Sequence, residues 1–231
     1  MPPPQLPRAR RAAGQLPIRL GAKLGIERFR QRGIASYRAF VGGDRVGSAG
    51  PPSDEVKRSR LLQLFQSSGH TTLVESGTFL GDTVAFFLPY ADRIVSVEID
   101  PDLHRAATHR FAPYPNVDIV LGDALEHIPA LLPTISASCL VWLDGHFSKG
   151  ITGQGRHIEP AAHLLEALSD LPLRRDLTVV VDDLRLFGLH AHFPTLDSLV
   201  ASARRAFPDA RIWAETDGLV IQQADWRGSD R

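Results

Sequence analysis

Five short runs dominated by Val, Ile and Leu recur along the chain, and each closes on or just before an acidic residue: Thr71–Glu75, Arg93–Ile99, Val117–Leu121, Ser138–Leu143 and Leu177–Val181. Stretches with helical spacing separate them, near Thr83–Leu88, Pro101–Phe111, Asp123–Leu132 and Ile158–Leu171. Near-continuous apolar strands alternating with helices require a parallel sheet covered on both faces. Ahead of the first strand, Ser53-Asp54-Glu55 reads as a helix start leading into Val56, Leu61, Leu62, Leu64 and Phe65. Beyond the fifth strand, a helix around Thr195–Phe207 precedes two runs, Arg211–Thr216 and Leu219–Gln222. These flank Asp217-Gly218, a dipeptide suited to a two-residue type I′ turn. The expectation is an α/β chain with a doubly wound, mostly parallel seven-stranded sheet that ends in an antiparallel hairpin.

In such a sheet, ligands bind at the carboxyl ends of the strands near the switch point, so the strand-end residues carry the chemistry. The first strand runs into Glu75-Ser76-Gly77-Thr78-Phe79-Leu80-Gly81-Asp82-Thr83, whose glycines permit a tight turn. The spacing is not the G-x-G-x-x-G of a dinucleotide site, and Glu75 is a poor neighbour for a pyrophosphate. The second strand ends in Val97-Glu98-Ile99-Asp100 and puts a carboxylate about twenty residues after the glycine turn, where a ribose diol would donate to it. The third ends in Leu121-Gly122-Asp123-Ala124, with Asp123 placed to accept from an adenine amino group.

These segments, together with Val141-Trp142-Leu143-Asp144-Gly145, resemble the class I S-adenosylmethionine-dependent methyltransferases over roughly residues 55–225. The resemblance implies a Rossmann-like methyltransferase fold whose terminal antiparallel insertion matches the hairpin. It also implies that Glu75, Ser76, Gly77, Thr78, Gly81 and Thr83 lie against the methionine part of the cofactor. Glu98 then holds the ribose hydroxyls, Asp123 and Ala124 meet the adenine, and Asp144 also borders the cofactor.

Asp144 ends the fourth strand and Asp182-Asp183 end the fifth. Neighbouring parallel strands lie about 4.8 Å apart, so the three carboxylates can converge, and a hard divalent cation such as Mg2+ relieves their repulsion. The trio resembles that of metal-dependent small-molecule O-methyltransferases. The Asp-Asp pair is closer to the antibiotic-sugar branch than to the catechol enzymes, which have Asn second. An alternative for Asp183 is to cap the next segment or pair with Arg185. His146, two residues past Asp144, is suited to take a proton from an acceptor hydroxyl, with a loop histidine as the plain alternative and Lys149 a weaker rival. The glycine-rich stretch from His146 to His157 reads as a lid carrying Lys149 and Arg156. Leu184–Pro194, with His190 and His192 facing solvent, borders the acceptor pocket.

The function expected is methyl transfer from S-adenosylmethionine to a hydroxyl of a small molecule or sugar, assisted by Mg2+. A metal-free enzyme, an RNA methyltransferase and a non-catalytic S-adenosylmethionine-binding protein are the alternatives. No Asn-Pro-Pro-Tyr motif for exocyclic amines occurs, and the lone Cys139 lies inside a strand, which disfavours cytosine C5 chemistry.

Net charge is zero over 231 residues, but residues 1–60 carry +9 and the remainder −9. Residues 1–53 therefore read as a basic accessory arm and 54–231 as the catalytic domain. Arginine outnumbers lysine 23 to 3 throughout, so the arm's arginines are a habit of this sequence and nucleic acid is disfavoured as a partner. Apolar runs such as Thr83–Tyr90 are far shorter than the ~20 residues that cross a bilayer. With one cysteine and no apolar segment behind the basic start, a cytoplasmic setting is expected.

Overall fold

A computed structural model describes residues 51–144, 159–171 and 176–223. His146, Lys149 and Arg156, with the rest of the expected lid, lie outside the described residues, as does the arm up to residue 50.

The order of elements is α1 (Asp54–Ser67), β1 (Thr72–Ser76), α2 (Asp82–Phe87), β2 (Arg93–Glu98), α3 (Pro101–Phe111), β3 (Val117–Leu121), α4 (Ala124–Leu131), β4 (Cys139–Leu143), α5 (Ala161–Ser169), β5 (Leu177–Val181), α6 (Leu196–Ala206), β6 (Arg211–Glu215) and β7 (Gly218–Gln222). The seven strands form one sheet in the order β3-β2-β1-β4-β5-β7-β6. The first five are parallel, while β7 runs antiparallel to both β5 and β6.

Strands β1, β4 and β5 are buried at every position, as their unbroken apolar runs require. Alternation sorts their side chains onto two cores. Val74, Val141, Val179 and Ile221 join Leu164, Leu165 and Leu199 of α5 and α6 on one face. Leu73, Ile94, Leu140, Trp142, Val180 and Val220 meet Leu61, Leu64 and Phe65 of α1 and Phe87 and Phe111 of α2 and α3 on the other. The edge strands carry charge, with an Arg93–Asp118 pair at 3.0 Å beside β3 and Arg211 and Glu215 on β6. No described helix is long and apolar enough to cross a membrane.

Three sequence expectations are corrected. Val56 is 51% exposed and Lys57 takes its place on the buried face of α1. The helix expected over Ile158–Leu171 spans Ala161–Ser169, with Pro160 in the N-cap position. The hairpin turn is Thr216-Asp217, both residues at positive φ, and Gly218 opens β7. A Cβ on Gly218 would lie 3.2 Å from Val180 Cγ1, so this glycine serves strand packing and leaves a β-branched residue in the turn.

Candidate functional site

The order of strands puts the switch point between β1 and β4, where connections depart to opposite sides. Glu75 of β1 shares its face with Leu73. Asp144 and Asp182, the next residues beyond β4 and β5, continue the Trp142 and Val180 face, so all three carboxylates stand on the α1 side at the carboxyl edge.

The turn after β1 is tied from below. Gly77 N–H donates to Val97 O at 2.9 Å and Gly81 N–H to Thr78 O at 2.7 Å. Gly77 and Gly81 adopt φ of 85° and 76°. A Cβ on Gly81 would meet the Phe111 ring at 2.5 Å. Glu98 closes the turn, accepting from Phe79 N–H at 2.7 Å and from Asp100 N–H at 2.9 Å. Burial raises the Glu98 pKa against these bonds. Ser96 Oγ–H donates to Glu75 Oε2 at 2.6 Å, and Thr78 Oγ1 lies 2.7 Å from Ser96 Oγ. Burial pushes Glu75 up to about 8, with Ser96 and Thr83 opposing. Asp123 occupies the N-cap of α4 and accepts from Leu125 N–H at 2.9 Å, with Ala124 as the first helical residue. The structure thus brings Glu75, Ser76, Gly77, Thr78 and Glu98 together around one turn, with Asp123 at the end of the neighbouring third strand.

Asp144, Asp182 and Asp183 converge as their spacing requires, and each offers an oxygen within 4.8 Å of the others. Three further groups, not flagged by the sequence reading, complete the cluster. Lys57, 8% exposed, reaches in from α1 and donates to Asp182 Oδ2 at 2.8 Å and Asp183 Oδ1 at 2.7 Å. Asp217, from the hairpin turn, lies 4.0 Å from Lys57 Nζ, accepts from Arg185 N–H at 2.9 Å and pairs with the Arg185 guanidinium. Glu159, buried, accepts from Ala161 N–H at 2.8 Å. The Asp183 side chain does not cap the 3-10 turn Leu184–Leu186 that follows it; it pairs with Arg185 at 2.7 Å, at a φ of 55°. Beyond it, Phe187 and Phe193 stack edge-on at 5.3 Å, while His190 is half-buried and His192 exposed.

Among the described residues, carboxylates outnumber cations in the cluster. Burial works against the Lys57 ammonium, but Asp182 and Asp183 outweigh it and hold the proton more tightly than usual. Asp182 is nonetheless pushed upward, by burial and then by Asp183, because several carboxylates share one ammonium. Burial and the charges of Asp182 and Asp183 raise Asp144 well above the carboxylate range, and burial pushes Glu159 up to about 8. Asp182 Oδ1, buried and 2.8 Å from Lys57 Nζ, has no aligned hydrogen-bond donor. Three hard oxygen donors in an acidic buried cluster fit the ligand preferences of Mg2+.

No protein-family model matches the chain. By sequence it is similar to a ribosomal RNA small subunit methyltransferase A of Dehalococcoides mccartyi, 26% identical over 158 residues, covering 66% of this chain and 54% of the relative. It is also similar to a thymidylate kinase of Xylella fastidiosa, 34% identical over 104 residues, covering 41% of this chain and 50% of the relative. The chain spans about half the length of either relative. It contains no G-x-x-x-x-G-K-[ST] phosphate loop. By structure it is similar to an SAH-bound Podospora anserina methyltransferase, TM-score 0.54 at 14% identity, covering 91% of this chain and 98% of that one. A second likeness is to an SAH-bound Bacillus cereus O-methyltransferase, TM-score 0.51 at 14% identity, covering 83% and 90%. The fold is that of the class I S-adenosylmethionine-dependent methyltransferases.

Proposed function

We propose that the chain transfers the methyl group of S-adenosylmethionine to a hydroxyl of a small molecule or sugar at this carboxyl edge. One observation carries the reading. Glu75, Asp144 and Asp182 stand on one face of three adjacent strands at the switch point, beside a glycine turn closed by Glu98. In this reading Glu75, Ser76, Gly77, Thr78, Gly81 and Thr83 wall the methionine part, Glu98 orients the ribose, Asp123 and Ala124 meet adenine, and Asp144 lies between cofactor and acceptor. Asp144, Asp182 and Asp183 would hold Mg2+. Bound there, the cofactor supplies a methyl on a sulfonium and the metal supplies charge that makes an acceptor hydroxyl more acidic. His146 would take the proton of the acceptor hydroxyl that receives the methyl.

Calorimetric titration with S-adenosylmethionine tests the cofactor. Binding tighter than about 1 mM, some 4 kcal/mol, is expected, and a folded protein that binds neither it nor SAH overturns the reading. With an acceptor found by screening hydroxylated metabolites, EDTA should abolish turnover and added Mg2+ restore it. An RNA acceptor is the second reading, favoured by the likeness to the ribosomal RNA methyltransferase and by the +9 charge of residues 1–60. RNA binding that weakens steeply with salt would select it.

A further inference from the structure

Lys57 is one of three lysines in a chain with 23 arginines. An arginine here would present a planar fork, whereas lysine presents a compact point charge on a flexible stem, the nearest a side chain comes to a bare cation. Its placement is built in. Ser53 caps α1, and Lys57 N–H donates to Ser53 O at 3.0 Å in the first turn. Lys57, Leu61, Leu64 and Phe65 share one face of the helix at the spacing of a buried stripe. Lys57 lines a small cleft with Leu61, Leu64, Trp142, Val180 and Val220 on one side and Arg60, Glu215 and Thr216 on the other, and its ammonium reaches Asp182 and Asp183.

We propose that Lys57 is a tethered counter-ion seated where a divalent cation would bind, so that metal loads this site only by displacing the ammonium from Asp182 and Asp183. The proposal rests on the reading of Asp144, Asp182 and Asp183 as the metal-holding trio. Nζ lies 2.7–2.8 Å from two of the three carboxylates, and the ligand oxygens of the trio lie within 4.8 Å of one another. A Mg2+ ion needs oxygens at about 2.1 Å, and two of the three carboxylates that would supply them already hold the ammonium. Charge favours the exchange. Among the described residues, Lys57 and Arg185 pair with Asp182, Asp183 and Asp217, with Asp144 adjoining, so carboxylates outnumber cations in this cluster with the ammonium in place. The displaced ammonium also has a destination. Asp217 Oδ2 lies 4.0 Å from Nζ, outside the trio, at the tip of the β6–β7 turn. The lysine thereby keeps the ligand-free trio from collapsing through repulsion and sets the metal concentration at which the site fills.

Mn2+ serves as the probe, its binding read by electron paramagnetic resonance on the full chain, wild type beside Lys57→Met and Asp183→Asn. Lys57→Met should bind Mn2+ about tenfold more tightly than wild type, the effect expected if the ammonium-free state holds about a tenth of the molecules. Asp183→Asn should lose binding. Because a methionine beside bare carboxylates can unfold the protein, acylation of the wild-type lysines, read by mass spectrometry, gives a second test. Saturating Mn2+ should raise acylation of Lys57 several-fold, with Lys23 reporting any effect on the reagent. Mn2+ bound equally by wild type and Lys57→Met, or Lys57 acylation unmoved at saturation, overturns the tethered ion and leaves the metal reading standing. No Mn2+ bound by wild type or by Lys57→Met overturns both.

Discussion

His70 sits at the opposite end of the sheet from the acidic cluster, its ring bridging Ser138 Oγ at 2.6 Å and Thr178 Oγ1 at 2.8 Å. Burial holds its pKa down to about 4. Between pH 6.5 and 4 the unfolded chain binds the proton that the folded ring refuses, so this contribution to stability is lost as pH falls through that window. His70→Ala removes the partner of the buried Thr178 hydroxyl and leaves a cavity, while Ser138 Oγ keeps its bond to Asp176 O at 3.2 Å. It should cost about 2–4 kcal/mol in denaturant unfolding at pH 7, and a cost under 1 kcal/mol would show that the bridge is dispensable. Glu75 has the opposite sign. Its pKa rises to about 8, so the folded state holds a proton that the unfolded state releases above about 4.5. Stability is therefore lost as pH rises from 4.5 to 8. Glu75→Gln should flatten the slope of Tm against pH and raise Tm at pH 8, by roughly 2–4 °C per kcal/mol relieved, while weakening S-adenosylmethionine binding. A pH slope that survives the substitution would assign the titration to another group.

At the scale of elements, the parallel strands were legible because burial on both faces leaves a continuous apolar run, and β1, β4 and β5 are buried throughout. The strand-end carboxylates were legible for the same reason, since the strands locate them. Lys57 was not, because a charged residue early in a helix normally belongs to a solvated face. Its spacing to Leu61, Leu64 and Phe65 was the available signal. Asp217 was hidden as a turn residue, and its neighbour Gly218 drew the turn one position too far. Thr216, β-branched at a φ of 49°, is strained in that turn. Thr216→Gly should stabilise the protein by roughly 0.5–1 kcal/mol, seen as a higher urea midpoint at unchanged m, and a lower midpoint would mean that the threonine side chain makes contacts worth more than the strain.

For the whole molecule, the division of charge at residue 60 cuts through a helix. Arg60 pairs with Glu215 at 2.7 Å and Lys57 with Asp182 and Asp183, so these cations belong to the acidic body. A chain beginning at residue 51 should melt cooperatively and bind S-adenosylmethionine as the full chain does. One beginning at residue 62 lacks both cations and should lose several kcal/mol, as expected when buried carboxylates lose their partner. Circular dichroism melts of the two check this, and equal Tm values would remove α1 from the account of stability.

The pairing of Lys57 with Asp183 spans 126 residues, and Asp217 follows Arg185 by a further 32. A ribosome adding about 5–20 residues per second therefore leaves the ammonium without its carboxylates for roughly 6–25 s. The acidic cluster consequently closes only after the β6–β7 turn has been made. A nascent chain stalled in the final strands carries the helices of a finished protein while its Arg185 still waits for Asp217.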